Sequence, residues 1–127
     1  MKNLTYVDGF VLVIKKKDLK TYKKMATLGA KVWKKHGALH YFECIGDDLT
    51  PNMGSVKLLT FPKLAQLKTD ETVWFSFIVF KSKTHRNQVN AKVMKDPSMN
   101  DPQFKDQPMP FDPKKMAYGG FKAVVGF

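Results

Sequence analysis

Residues Thr5 to Ile14 (TYVDGFVLVI) place Val7, Val11 and Val13 on one side of an extended chain and Phe10, Leu12 and Ile14 on the other. The β-branched and aromatic content predicts a strand, and a strand apolar on both sides belongs to a sheet covered on both faces. Thr72 to Phe80 (TVWFSFIVF) repeats the pattern more strongly, and Leu39 to Ile45 (LHYFECI) and Lys115 to Phe127 read as two further strands. Gly119-Gly120 in the last of these marks a bulge or a close backbone approach.

Between the first two strands the period changes to that of a helix. Asp18 is a candidate N-cap and Gly37 a left-handed stop. At 100° per residue, Leu19, Tyr22, Met25, Ala26, Gly29, Val32, Trp33 and His36 share one face, and Lys20, Lys23, Lys24, Lys31, Lys34 and Lys35 lie opposite. Ser82 is placed to cap a second helix from Lys83 to about Lys95, stopped by Pro97. Residues 49–71 are an excursion with a turn at Pro51, Asn52 and Gly54, and Ser55 to Phe61 fit a short strand or helix. Residues 96–114 hold five of the seven prolines, with Met99, Phe104, Met109 and Phe111 between them, and read as a packed functional loop or partner-binding arm.

The order β-α-β-(excursion)-β-α-(Pro-rich loop)-β predicts an α+β fold, the ferredoxin-like split βαβ with an antiparallel sheet and both helices on one face. Every strand is apolar on both sides, so the second sheet face needs a cover. A second copy of the chain is the most economical one, giving a homodimer in which two sheets face each other as a dimeric α+β barrel.

Length and composition fit this picture. The 127 residues suit a single domain, and 43% apolar with 13% aromatic residues exclude disorder for the bulk of the chain. No apolar run approaches the roughly 18 residues of a membrane span, and the N-terminus lacks a signal-peptide core. The lone Cys44 excludes an internal disulfide framework and a cysteine-rich zinc site. A cytoplasmic protein is expected.

The net charge of +11 raises the prospect of nucleic acid or an anionic surface as partner. Of the 22 basic residues only Arg86 is an arginine, whereas base reading and bidentate phosphate contacts favour guanidinium. The first-helix lysines also fall on a face that must be solvated. Weak, non-specific RNA or anionic-surface binding is therefore the third functional reading, behind a solubilising lysine surface.

Seven segments, in order, resemble a known family: Tyr6-Val7-Asp8-Gly9-Phe10, His36-Gly37-Ala38-Leu39, Glu43-Cys44-Ile45-Gly46-Asp47-Asp48, Asp70-Glu71-Thr72-Val73, Asn90-Ala91-Lys92-Val93-Met94, Met109-Pro110-Phe111-Asp112 and Tyr118-Gly119-Gly120-Phe121. They are similar to the YbaA-like family of small bacterial proteins, grouped as a domain of unknown function. The resemblance spans nearly the whole chain and implies a ferredoxin-like fold of the dimeric α/β-barrel superfamily, with no established activity. That superfamily includes cofactor-independent monooxygenases, haem-binding proteins and isomerase-like enzymes. This chain departs from the family pattern at Ile45, where an aromatic is expected, and at His40 and Lys115, where arginine is common.

Strand alternation sets out the candidate chemistry. Tyr6, Asp8 and Phe10 share a face, as do Trp74, Ser76 and Ile78, while Val73, Phe75, Phe77 and Val79 carry no polar side-chain atom. The pure apolar sets are expected to face the helices and the mixed sets the inter-sheet space. Asp8 would then be a carboxylate in an apolar setting, a candidate base or acid, or else a structural acceptor of hydrogen bonds. His36, at the end of the first helix, and His40, at the start of the second strand, are further candidate bases; His85 is expected at the surface. Tyr6, Phe10, Glu43, Trp74, Ser76 and Tyr118 are the expected ligand-binding set. Tyr118 and the segment from Met109 to Asp112 are a candidate lid, and Cys44 is expected to be a buried thiol. No metal site has recognisable spacing, and no cofactor motif is present. The leading reading is a small dimeric barrel binding an apolar or aromatic ligand beside the inter-sheet face. The alternative is a cofactor-independent monooxygenase or isomerase-like enzyme using Asp8 or a histidine as base.

Overall fold

The structure, a computed structural model, describes residues 4–100 and 109–127. Its regular elements are β1 (Tyr6–Lys15), α1 (Leu19–Lys35), β2 (His40–Ile45), the short α2 (Phe61–Leu64), β3 (Glu71–Phe80), α3 (Lys83–Lys95) and β4 (Ala117–Lys122). The four strands form one antiparallel sheet in the order β2-β3-β1-β4. With α1 and α3 together on one face, this is the ferredoxin-like α+β arrangement that the element order predicts.

Helix ends follow local chemistry. The α1 C-terminus closes with Gly37 at φ +105°, Gly37 N–H donating to the Lys34 carbonyl and Ala38 N–H to that of Trp33. This paired closure needs a residue free of a Cβ in the left-handed region. At the α3 N-terminus, Ser82 Oγ accepts from the His85 amide at 3.0 Å, as its position predicts. Asp18 does not cap α1. The chain enters that helix from a 3-10 turn (Lys16–Asp18), with Asp18 at φ −102° and ψ 3° rather than in the extended geometry of a capping residue.

The core lies between the helices and one face of the sheet. One cluster joins Leu12, Ile14 and Trp74 to Tyr22 and Ala26 of α1; the other joins Ile78 and Phe80 to Val32, Val89 and Val93. Residues such as Ile14 and Phe80 are fully buried, each worth about 1.5–3 kcal/mol of apolar transfer. The six lysines on the far side of α1 are all exposed.

The expected assignment of the two sheet faces is inverted. The mixed set (Tyr6, Asp8, Phe10, Trp74, Ser76, Ile78, with Tyr41 and Glu43 of β2) faces the helices. The pure apolar set (Val7, Val11, Phe75, Phe77, Val79) lies on the other face, where Phe75 and Phe121 are exposed. The reason is hydrogen bonding. Buried polar atoms need partners, and the helices carry them, whereas a face that meets nothing polar can be wholly apolar. Cys44, expected to be buried, is exposed on this open face.

Two boundaries also differ from the sequence reading. Residues 55–60 form no strand, and only Phe61–Leu64 are helical. β4 spans Ala117–Lys122 instead of running to Phe127, because residues 113–115 form a 3-10 turn and no strand follows Lys122. The Pro-rich loop is described only at its ends, and residues 101–108, Phe104 among them, lie outside the described residues. Among the described residues no helix is long and apolar enough to cross a membrane.

Candidate functional site

Two polar centres lie on the helix side of the sheet. The first is built on Asp8, which is buried at 1% exposure in the middle of the sheet. Arg86 and Asn90, four residues apart on α3, present one helix face to it. Arg86 Nη1 donates to Asp8 Oδ1 at 3.0 Å and to the Tyr118 hydroxyl at 2.9 Å. Tyr118 Oη in turn donates to Asp8 Oδ2 at 3.2 Å, and Asn90 Nδ2 approaches the same oxygen at 3.5 Å. The guanidinium carbon sits 5.1 Å from the centroid of the Tyr6 ring, a cation–π geometry. Trp33 Nε1 donates to Asn90 Oδ1 at 3.0 Å, which ties α1 into the same circuit. Burial, and then the charge of Asp8, push the Tyr118 phenol above its ordinary range. The carboxylate joins β1, β4 and α3, is paired with the Arg86 guanidinium, and lines neither recess between α1 and the sheet.

The second centre is Glu43 of β2, half-buried and opposite Ser76 of β3. Its Oε1 accepts from the Tyr22 hydroxyl and from Trp74 Nε1, both at 2.8 Å, and its Oε2 accepts from the Tyr41 hydroxyl at 2.6 Å. Tyr41 lies two residues before Glu43, hence on the same strand face, and Tyr22 comes from the buried face of α1. Burial first, and then the Glu43 charge, push both phenols well above the ordinary tyrosine range. They therefore remain protonated donors to the carboxylate at neutral pH.

Glu43 stands at the junction of two recesses between α1 and the sheet. The inner one is a cavity of about 210 Å³. Phe10, Tyr22, Trp33, Tyr41 and Phe111 form its aromatic wall, Met25, Met99 and Met116 fill the gaps between them, and Ser76 and Glu43 supply the polar side chains. Of the candidate lid, Phe111 lines the cavity and meets Tyr22 edge-on at 6.0 Å, whereas Tyr118 is outside the lining and Met109 is exposed. The outer recess, about 510 Å³, shares Ala26, Tyr41 and Glu43 with the inner one and adds Trp74, Lys20 and Lys23.

The expected ligand-binding residues thus separate into two groups. Phe10, Glu43, Ser76 and Trp74 surround the recesses, whereas Tyr6, Asp8 and Tyr118 form the Arg86 cluster. Tyr118 stacks on Phe10 at 4.7 Å and so links the two. Neither histidine joins either centre. His36 Nε2 is bound to Asp96 Oδ2 at 2.7 Å beside Lys35, and His40 lies at the head of β2 on the open face, its ring 6.3 Å from that of Phe42. His85, expected at the surface, is half-buried and accepts from the Lys81 amide at 3.0 Å. Arg86, Asn90, Tyr22, Tyr41 and Trp33 belong to these centres or to the cavity wall but are not among the candidate site residues of the sequence reading. The signal available for Arg86 was its being the lone arginine among the basic residues. No group of three or more potential metal ligands is found among the described residues.

Residues 5–113 match the family described as a protein of unknown function, DUF1428. Similar curated proteins are both described as uncharacterized protein YbaA. Those of Escherichia coli K12 and Shigella flexneri are each 36% identical over 122 residues, covering 96% of this chain and 98% of the relative. The crystal structure of a dimeric ferredoxin-like protein from an uncultured marine organism aligns with a TM-score of 0.60 at 11% identity. It covers 98% of this chain and 99% of that one, a likeness of fold.

Proposed function

This chain belongs to the DUF1428 family, and from that premise we propose that it is a homodimeric protein that binds a small apolar or aromatic molecule between α1 and the sheet. The observation that carries this reading is the inner cavity, an aromatic and methionine-lined space whose polar side chains gather at one end around Glu43. Concave, mostly apolar sites with a few convergent polar groups are the usual form of small-molecule sites. At about 210 Å³ the cavity is smaller than the roughly 300–1,000 Å³ of drug-sized pockets, so its ligand is about the size of one substituted ring. Asp8 is outside the lining, which favours binding over the reading in which Asp8 acts as a base on the ligand.

The homodimer rests on the open sheet face, where Phe42, Phe75 and Phe121 are 50%, 42% and 61% exposed. A contiguous apolar face of this kind is unusual on a monomer. The structurally similar marine protein is described as dimeric, which supports a dimer here. The expected cytoplasmic location is compatible with an exposed, unpaired Cys44, which a reducing compartment would preserve.

Methyl NMR tests the cavity. With the methionine methyls labelled, titration with toluene should shift Met25, Met99 and Met116, which line the cavity, and leave the exposed Met53 and Met94 in place. Uniform shifts, or none, would overturn the reading.

A further inference from the structure

We propose that the ligand of this cavity carries a primary ammonium group that docks on Glu43, so that the protein receives a small arylalkyl or alkyl amine; this rests on the cavity reading above. A carboxylate offers about four acceptor positions. In Glu43, Oε1 takes two donors, Tyr22 and Trp74, while Oε2 takes only Tyr41. One acceptor position on Oε2 is left, on a residue that lines both recesses.

The charge argument is independent of that count. All three donors to Glu43 are neutral, so they satisfy lone pairs without cancelling the negative charge. Among the described residues the ion pairs engage Asp8, Glu71 and Asp96, and none engages Glu43. Lys20 and Lys23 edge the outer recess but are exposed, with their heads in water. A partly desolvated carboxylate with neutral donors and a vacant acceptor position is complementary to a cation that brings its own N–H groups.

The walls point the same way. The rings of Tyr22, Trp33 and Tyr41 line the cavity that Glu43 shares, a lining that suits an aromatic body and tolerates a neighbouring cation. The three methionines accommodate an apolar body of variable shape. A carboxylate ligand would meet Glu43 as a like charge.

Four probes of nearly equal size separate the outcomes at neutral pH, read by methionine-methyl shifts and by calorimetry. Benzylamine should bind the wild-type protein about tenfold or more tightly than toluene, the scale of one charge-assisted hydrogen bond, and benzoate should bind more weakly than toluene. Glu43→Gln should abolish the advantage of benzylamine while toluene still shifts Met25 and Met99. Should Glu43→Gln fail to fold, Tyr41→Phe serves instead. It frees a second position on Oε2, and benzylamine should then keep or increase its lead over toluene. Benzylamine binding no better than benzyl alcohol would overturn the ammonium assignment while leaving the cavity reading intact. Failure of all four probes, toluene included, would overturn the cavity reading itself.

Discussion

Arg86 of α3 donates to Asp8 of β1 at 3.0 Å, the lone arginine of the chain meeting a carboxylate buried in the middle of the sheet. The guanidinium geometry is needed here, because Nη1 serves Asp8 and Tyr118 together while the guanidinium carbon sits over the Tyr6 ring. Removing either partner leaves a buried charge uncompensated, at a cost of about 3–5 kcal/mol. Asp8→Asn and Arg86→Met should each lower the unfolding free energy by that scale, read as a lower urea midpoint. The double variant should lose less than the sum of the two, since it leaves neither charge behind. Arg86→Lys should fall between wild type and Arg86→Met. An unchanged midpoint in Asp8→Asn would remove the structural role assigned to this pair.

The open sheet face supplies the next prediction. Phe121 rests its ring over Gly9 and Gly119, where a Cβ on Gly9 would come within 3.3 Å of it, so the aromatic layer lies close to the sheet and leaves a broad apolar surface. Phe75 projects from the central strand β3 into the same surface. Placing a charge there should be tolerated by the protomer but not by a second sheet. Sedimentation of wild-type protein should give twice the chain mass, and Phe75→Lys should give the chain mass with a cooperative unfolding transition retained. A monomeric wild type, or a dimeric Phe75→Lys, contradicts the sheet-to-sheet arrangement.

The architecture was readable because it depends on local pattern. The lysine stripe of α1, the Ser82 cap of α3 and the element order are statements about neighbours in sequence, and the structure keeps them. The sheet faces were misassigned because their meaning depends on remote partners. Alternation separates Asp8, Trp74 and Ser76 from Phe75 and Phe77, yet it cannot say which set meets the helices. What decides is that Arg86 and Tyr118 reach Asp8 across 78 and 110 residues and that Trp74 reaches Glu43 across 31. Glu43 was identifiable as a candidate. Tyr22 and Tyr41 were not, since a tyrosine on an apolar helix face or strand reads as core until its hydroxyl has a partner.

Acid should loosen the junction of the two helix C-termini. Asp96 accepts from the Ser98 amide at 2.9 Å and from His36 and Lys35 at 2.7 and 3.2 Å. These contacts, the backbone one first, hold its carboxyl well below the usual carboxylate range. A depressed native pKa means that the unfolded chain binds more protons in acid. The contribution to stability is therefore present above about pH 4 and is lost as pH falls toward the native value. Asp96→Asn should melt at a lower temperature than wild type at pH 7, and the gap should narrow steadily below about pH 4. A gap independent of pH would mean that packing, not ionisation, sets the role of Asp96.

Alkali acts with the opposite sign at Glu43. Tyr22 and Tyr41 have phenols raised by burial and then by the Glu43 charge, so their contribution is complete below the unfolded value of about 10 and is lost as pH rises through the native value. Glu43→Gln removes the charge but not the burial. In a spectrophotometric alkaline titration, tyrosinate absorbance should therefore develop at lower pH in Glu43→Gln than in wild type. Tyr22→Phe/Tyr41→Phe should lose the late part of the wild-type curve. The comparison also separates two origins of the shift, because an identical curve in Glu43→Gln would assign it to burial alone. It would also mean that the carboxylate field inside the recess is too weak to select a cationic ligand.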